Sequence, residues 1–529
     1  MSRAPFLRLV GLAGAFTLIL DGAAAAQGPP GLDLVAAGRR LYREGRSVSG
    51  ETVKAVVQGD VPVLGTQVTC QSCHGRSGIG VLESGRISPP LAAPLLFSPD
   101  AQRRRPAYTE GTLARALREG VDPAGRPLDP LMPRFQLGDR DVAALDAYLR
   151  QLGAAESPGV GPGGLRLATV VAGEVPSGVE RAVRDVFEAF VADRNRSAPQ
   201  RLRGGHAPGQ PKETFRSWSL DVWRLSGPPE GWRAQLETRY RKSPPFALVG
   251  GVASASWQPM HEFCEAEEMP CLLPDTDLPP AGDGGYYSYY FSGGLRLEAE
   301  IMAATLMADG LGGNVIGVVE GAGNSSSREA ASALARALER RRGRLRTLDA
   351  RLESGRDVAL ARTAWGEASA IVLWLKADGV CRLATELATG SGTAPVFLSS
   401  TLLGASWDDL PASIRTRARG VHLTALPGEP DPALERFRNW ARARGVRIRE
   451  ERHQALAFFA CLALGDGTKH MGQFWYRDYF MDLLEHASSL TAYLPLYTRA
   501  GITPGQRVLS RGGWVVDLSG RREPDWVVP

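Results

Sequence analysis

Cys70-Gln71-Ser72-Cys73-His74 is the stretch of this chain whose residue types and spacing most directly specify chemistry. Two thiols three positions apart, followed at once by an imidazole, suit thioether attachment of a haem through its two vinyl groups, with His74 as the proximal iron ligand. A zinc half-site needs a second ligand pair, and no other Cys-x-x-Cys occurs. A redox dithiol calls for a βαβ setting, whereas the surroundings of Cys70 read as helical. Elimination names the sixth ligand: between residues 27 and 152 the only His is His74, the only Met is Met132 and the only Lys is Lys54. Met132 lies in Pro130-Leu131-Met132-Pro133-Arg134-Phe135, a proline-stiffened extended stretch. A thioether held there suits an iron that passes electrons, the alternative being a buried packing Met and an open sixth site, and one covalent haem c is the expected cofactor.

Other residues offer weaker signals. Ser254 and Ser256 precede a predicted helix, whose free N–H groups attract an anionic end of a ligand or are simply capped by the serines. Asp275 and Asp277 suit an ammonium group or a cation, or else a solvated acidic loop. Trp257, Tyr286, Tyr287 and Trp374 would wall a cleft or fill a core. Four cysteines remain in an oxidising compartment, and Cys264–Cys271 with Cys381–Cys461 is the favoured disulfide pairing, against buried free thiols. His206, His261, His422, His453, His470 and His486 are scattered without metal spacing, and no nucleophile or base constellation is visible. The chain therefore reads as a carrier and binder, not an enzyme.

These residues need elements to position them. At 529 residues the chain exceeds one ordinary domain, and an excess of five positive charges (62 Lys+Arg, 57 Asp+Glu) is too dilute to argue for nucleic acid. Arg3 and Arg8, an apolar run from Leu9 to Leu20 and the small residues Ala23–Ala26 predict a signal peptide over 1–26, cleaved near Ala26, hence a periplasmic protein. Twelve apolar residues are too few to span a bilayer, which takes about 20. Residues 153–164 are dominated by Gly and Pro and read as a linker between segments 31–152 and 165–529. The first segment predicts helices at Leu34–Glu44, Thr112–Glu119 and Asp139–Leu152 and no strand. The second alternates: strands at Leu167–Val171, Phe246–Val252, Pro270–Leu273, Asn314–Val319, Ala370–Leu375 and Pro395–Ser399, with helices between. That pattern predicts parallel sheets covered by helices on both faces. The expected fold class is multidomain, an all-α domain followed by an α/β domain.

Two resemblances sharpen this. Residues 31–152 resemble the monohaem class I cytochrome c family through Ala37–Tyr42, Cys70–His74 with Gly75 and Gly78, Met132–Phe135 and Asp141–Leu149, in the family's order. Residues 165–529 resemble the type I periplasmic binding proteins of the branched-chain amino acid and amide group, through Val249–Pro259 and Pro270–Asp277. The second resemblance implies two α/β lobes that close on a small molecule. Asp275 and Asp277 stand where small or hydroxyl residues are usual in that family, and Ser400-Thr401-Leu402 stands where members carry a ligand-reading acid. The second departure argues against a standard amino-acid ligand. The implied role is electron transfer in a periplasmic oxidation system, with a small-molecule ligand and a dehydrogenase or terminal cytochrome as redox partner. A solute receptor of an uptake system with a haem redox reporter, working with a membrane permease, is the alternative. Direct oxidation of the ligand ranks last, for want of a base or second cofactor.

Overall fold

A computed structural model describes residues 33–529, apart from 81, 84–85, 163, 197–214, 283–284, 321–324, 350–362, 364, 390–392, 405–406, 488–493, 498 and 504. The expected signal peptide lies outside the described residues. The chain forms two compact units, one from residues up to 67 with 110–148, the other from 68–109 with 149–529.

In the first unit, Asp33 starts the Leu34–Glu44 helix by accepting the Val35 and Ala36 N–H groups at 3.1 Å, and Gly45 ends it in the left-handed region at φ 66°. Its Ala37, Leu41 and Tyr42 are buried, and Tyr42 packs on Tyr148 with ring centroids 5.4 Å apart. Gly38 allows the closest contact: a Cβ there would sit 1.9 Å from the Ala144 carbonyl oxygen in the Asp139–Leu149 helix. The expectation of an all-α domain needs correction. Lys54–Val57, Val61–Leu64 and Arg134–Phe135 form a three-stranded antiparallel sheet, in which Val57 opposes Val61. The reason is local. β-Branched valines flank a turn in which Gln58 and Gly59 both take positive φ, the arrangement of a tight hairpin.

In the second unit, the Gly/Pro-rich stretch is packed and is not a free tether. The Ser157 N–H donates to the Trp475 carbonyl at 3.1 Å, and the Arg477 N–H donates to Ser157 Oγ at 2.9 Å. Val160–Gly161 pairs antiparallel with the start of Gly164–Ala172. Gly159 approaches the Phe246 backbone so closely that a Cβ would lie 2.0 Å from its nitrogen. Small residues with free backbone groups made this stretch look like a linker, and they also let it lie flat against another main chain.

Two sheets follow. In the first, Val252–Ala253, Gly164–Ala172, Ala247–Val249, Cys271–Leu272, Ser288–Ser292 and Val508–Ser510 run in that order and all parallel, with Ser217–Leu225 also parallel to Gly164–Ala172. In the second, Leu345–Asp349, Val315–Val319, Ala370–Trp374, Val396–Ser399 and Ala418–His422 are parallel, and Gly513–Asp517 and Asp525–Val527 close the edge antiparallel. Each central strand is buried on both faces. Leu165, Leu167 and Val171 enter one core while Ala168, Val170 and Ala172 enter another. Ala370, Val372 and Trp374 likewise separate from Ile371 and Leu373. The chain crosses between the two lobes three times: from Ser292 to the Gly294–Ala308 helix, from His422 to the Pro432–Arg444 helix, and from Ser510 to Gly513. The predicted α/β pattern is present, with bounds shifted by a few residues. The 19-residue Glu451–Lys469 helix, packed into the first core, was not anticipated. Among the described residues no helix is long and apolar enough to cross a membrane.

The Gly38 contact makes a direct prediction. Gly38→Ala should destabilise the first unit by about 1–3 kcal/mol or more, because the added methyl meets backbone that cannot move aside. Thermal unfolding of the full chain followed by circular dichroism measures this, and a variant as stable as the parent would mean the two helices do not meet at Gly38.

Candidate functional site

The Cys70–His74 helix is one short turn, started by Thr69, whose Oγ1 accepts the Ser72 N–H at 3.3 Å. Gly75 and Gly78 follow at φ 74° and 71°, and a Cβ on Gly78 would lie 2.5 Å from a Leu152 methyl. His74 is 7% exposed, and its Nδ1 donates to the Pro89 carbonyl 2.8 Å away. That bond orients the ring and leaves Nε2 with its lone pair. Burial pushes His74 below its usual range, so the imidazole is neutral, the form that ligates a metal. Neither Cys70 nor Cys73 is in a disulfide. Burial pushes Cys70 up to about 12, opposite to the lowered values of redox dithiols. This donor set fits a covalently attached haem. Among the described residues no group of three or more His, Cys, Asp or Glu is placed to hold a metal ion. Met132 is half-buried in a turn of the first unit, where its N–H donates to the Asp129 carbonyl at 3.0 Å and its carbonyl accepts from Arg134 at 2.5 Å.

Just beyond His74 the chain is tied to a distant helix. Asp482, on Arg477–Glu485, accepts the Arg76 N–H at 3.2 Å, the Ser77 N–H at 3.0 Å and the Tyr286 hydroxyl at 2.7 Å. Burial pushes Asp482 up to about 6 despite these donors. The Arg76 guanidinium lies 4.0 Å over the Tyr286 ring and 5.0 Å over Tyr287, with Glu268 and Asp478 each at 3.5 Å. The helix carrying Asp482 is anchored by buried Arg477, which donates to the Phe246, Pro245 and Glu267 carbonyls at 2.9, 2.6 and 3.0 Å.

The four expected ligand contacts lie on loops at the strand ends of the first sheet. Ser254 Oγ accepts the Glu174 N–H at 3.0 Å, tying its loop to the one after Gly164–Ala172, and Ser256 Oγ accepts the Gln258 N–H at 3.3 Å within its own loop, so both serines serve backbone donors. Asp275 makes a parallel bridge to Val252 in the strand Val252–Ala253, which brings its loop beside the one that carries Ser254. The acids are partnered: His453 Nδ1 is 2.5 Å from Asp275, and Arg452 reaches Asp275 at 3.9 Å and Asp277 at 3.5 Å. The Tyr497 hydroxyl hydrogen-bonds to Arg452 and to Ser292. Neither Arg452–His453 nor Tyr497 was singled out from sequence, since nothing in their spacing marks them as neighbours of Asp275. The aromatic wall is not formed. Trp257, Tyr287 and Trp374 are core residues, filling the layers between sheets and helices, and Tyr286 meets Arg76.

In the second lobe, Ser400-Thr401-Leu402 sits against an acid from another element. Buried Glu298 accepts from Ser399 Oγ, from Ser400 Oγ at 3.2 Å, and from Thr401 N–H and Oγ1 at 3.2 and 2.8 Å. Burial pushes Glu298 up to about 7 even so. The expected disulfides are not formed, and all six cysteines are free. Cys381 is exposed on the second-lobe helix Ala377–Thr389, whereas Cys461 is buried in the first-lobe core, so the two cannot meet. Cys264 and Cys271 are buried neighbours in one core, with their thiols hydrogen-bonded and the Trp257 Nε1–H donating to Cys271 Sγ at 3.4 Å.

Residues 63–153 match the family model for cytochrome c, and this part of the chain is a cytochrome c domain. No curated protein matches the chain. Solved structures similar to the remainder include a possible leucine/isoleucine/valine-binding protein from Rhodopirellula baltica, 12% identical over 69% of this chain and 98% of that one, TM-score 0.47. A leucine-binding protein from Thermotoga maritima is 12% identical over 69% and 97%, TM-score 0.46. A type 1 periplasmic binding protein from Bordetella pertussis is 14% identical over 69% and 100%, TM-score 0.45. The two parallel sheets and the three crossings between lobes carry the α/β fold assignment on their own.

The Asp275–His453 pair predicts a pH dependence. Burial alone would push His453 down, but Asp275 holds it above its usual 6.5. Burial would raise Asp275, but His453 and Arg452 hold it below 3.8. The pair therefore stabilises the fold fully between about pH 4 and 6.5 and loses that contribution above, as His453 gives up its proton. His453→Gln should cost about 1–2 kcal/mol at pH 6 and much less at pH 8.5. Unfolding midpoints across that range measure the difference, and parallel curves for parent and variant would exclude the charged pair.

Proposed function

We propose that this chain is an exported electron carrier with one covalent haem c, whose α/β region binds a small molecule, serving a periplasmic oxidation system. The observation that carries the reading is Cys70-x-x-Cys73-His74 with the buried His74 ring oriented by the Pro89 carbonyl. Haem, when bound, supplies reversible one-electron change at its iron. In this reading Cys70 and Cys73 anchor the group through thioethers, and His74 presents Nε2 as a neutral ligand. Pro89 keeps that nitrogen aimed and its basicity raised, and Met132 would be the second protein ligand to the iron. The small molecule is taken at the strand-end loops bearing Ser254, Ser256, Asp275 and Asp277, where Arg452 and His453 already offset the acids. That charge balance supports a polar ligand of little net charge over a cation. A dehydrogenase or a terminal cytochrome is the redox partner, and residues 1–26 direct export.

Two variants test the haem assignment. Met132→Ala should leave haem covalently attached, convert the iron to a high-spin or water-ligated spectrum and lower the midpoint potential. Cys73→Ser should impair attachment, read by haem staining of a denaturing gel. A Met132→Ala protein with the parent's spectrum and potential would remove Met132 from the iron.

A further inference from the structure

The contacts just after His74 exceed what a tethered carrier needs. Arg76 and Ser77 give both backbone N–H groups to one carboxylate more than 400 residues away. Ser77 is 2% and Asp482 8% exposed, so these bonds are made out of solvent. Tyr286 completes the clasp from two sides, its hydroxyl donating to Asp482 and its ring lying under the Arg76 guanidinium. Tyr286 is itself fixed, because Glu265 accepts the Tyr286 and Tyr287 N–H groups at 2.7 and 2.9 Å. On its ring Arg507 also stacks, at 4.7 Å, and Arg507 pairs with Glu485 at 2.6 Å. A surface meant only to keep a tether short would not bury a carboxylate against two main-chain donors.

We infer that Asp482 and Tyr286 are positioning residues for the haem, holding the turn that carries His74 in fixed register on the first lobe and placing Asp482 and Arg76 as opposed charges beside that turn. The inference rests on the haem reading above and adds that the binding lobe sets the potential. An ionised carboxylate beside the site favours the oxidised iron, and a guanidinium favours the reduced one, so the two side chains act with opposite sign.

The test uses full-length, haem-loaded protein at pH 8. Midpoint potentials are measured for the parent, Asp482→Asn, Tyr286→Phe and Arg76→Gln, and hydrogen exchange is followed over residues 75–80. Asp482→Asn should shift the oxidised-to-reduced equilibrium at least about threefold toward reduced, roughly 28 mV upward for one electron. Arg76→Gln should shift it downward. Both Asp482→Asn and the milder Tyr286→Phe should weaken protection of the Arg76 and Ser77 amides. Loosening of structure alone would move both charge variants the same way, through greater haem exposure, and that result would overturn the inference. Haem-loaded variants with the parent's potentials and protection would overturn it equally. A parent that carries no covalent haem would instead overturn the function proposed above.

Discussion

A parallel strand with helices on both sides has no side chain to spare for water, so polar work must collect where strands end. That constraint organises the larger unit. Gly164–Ala172 and Ala370–Trp374 each send alternate side chains into two separate cores. Asp275, Ser254 and Ser399–Thr401 all lie just past strand ends, and each is met by a residue from a different element. Buried Glu298 is the clearest case: four donors from one loop compensate a carboxylate with no access to solvent, which locks that loop to a helix 100 residues earlier in the chain.

The haem-attachment turn obeys a complementary rule. Five residues cannot hold themselves rigid, so their geometry is borrowed. Thr69 caps the turn, Pro89 orients the imidazole, and Asp482 with Tyr286 holds the backbone that follows. The glycines mark the places where the chain must pass close to another. Gly78 passes beside Leu152, Gly153 beside Tyr476, and Gly159 against the Phe246 backbone. A composition that reads as a flexible linker is thus also a composition for close packing.

The parts legible in the sequence were those governed by local rules. Cys70–His74 is a covalent pattern whose spacing is its meaning, and the Leu34–Glu44 and Asp139–Leu149 helices follow from apolar periodicity and capping. The alternation of strands and helices was legible for the same reason. The small sheet at Lys54–Leu64 was missed although its valines and Gly59 turn were in view, because it lies among helices. The Cys381–Cys461 pairing failed because an even count of cysteines says nothing about which lobe holds each one, whereas Cys264 and Cys271 do meet, as hydrogen-bonded thiols.

By itself, then, the sequence determined the donor set at Cys70, Cys73 and His74, the α/β character of residues 165–529 and the charge balance that argues against nucleic acid. Only the tertiary structure decided that Ser254 accepts the Glu174 N–H from another loop, that Asp275 is matched by His453, and that Arg76 and Ser77 are held by Asp482. The physical reason is range. Covalent spacing, helix periodicity and capping act over a few residues and leave a mark in the order of the chain. A buried carboxylate takes whichever donors the folded backbone brings within about 3 Å, and residues 405 positions apart carry no sign of that meeting beforehand.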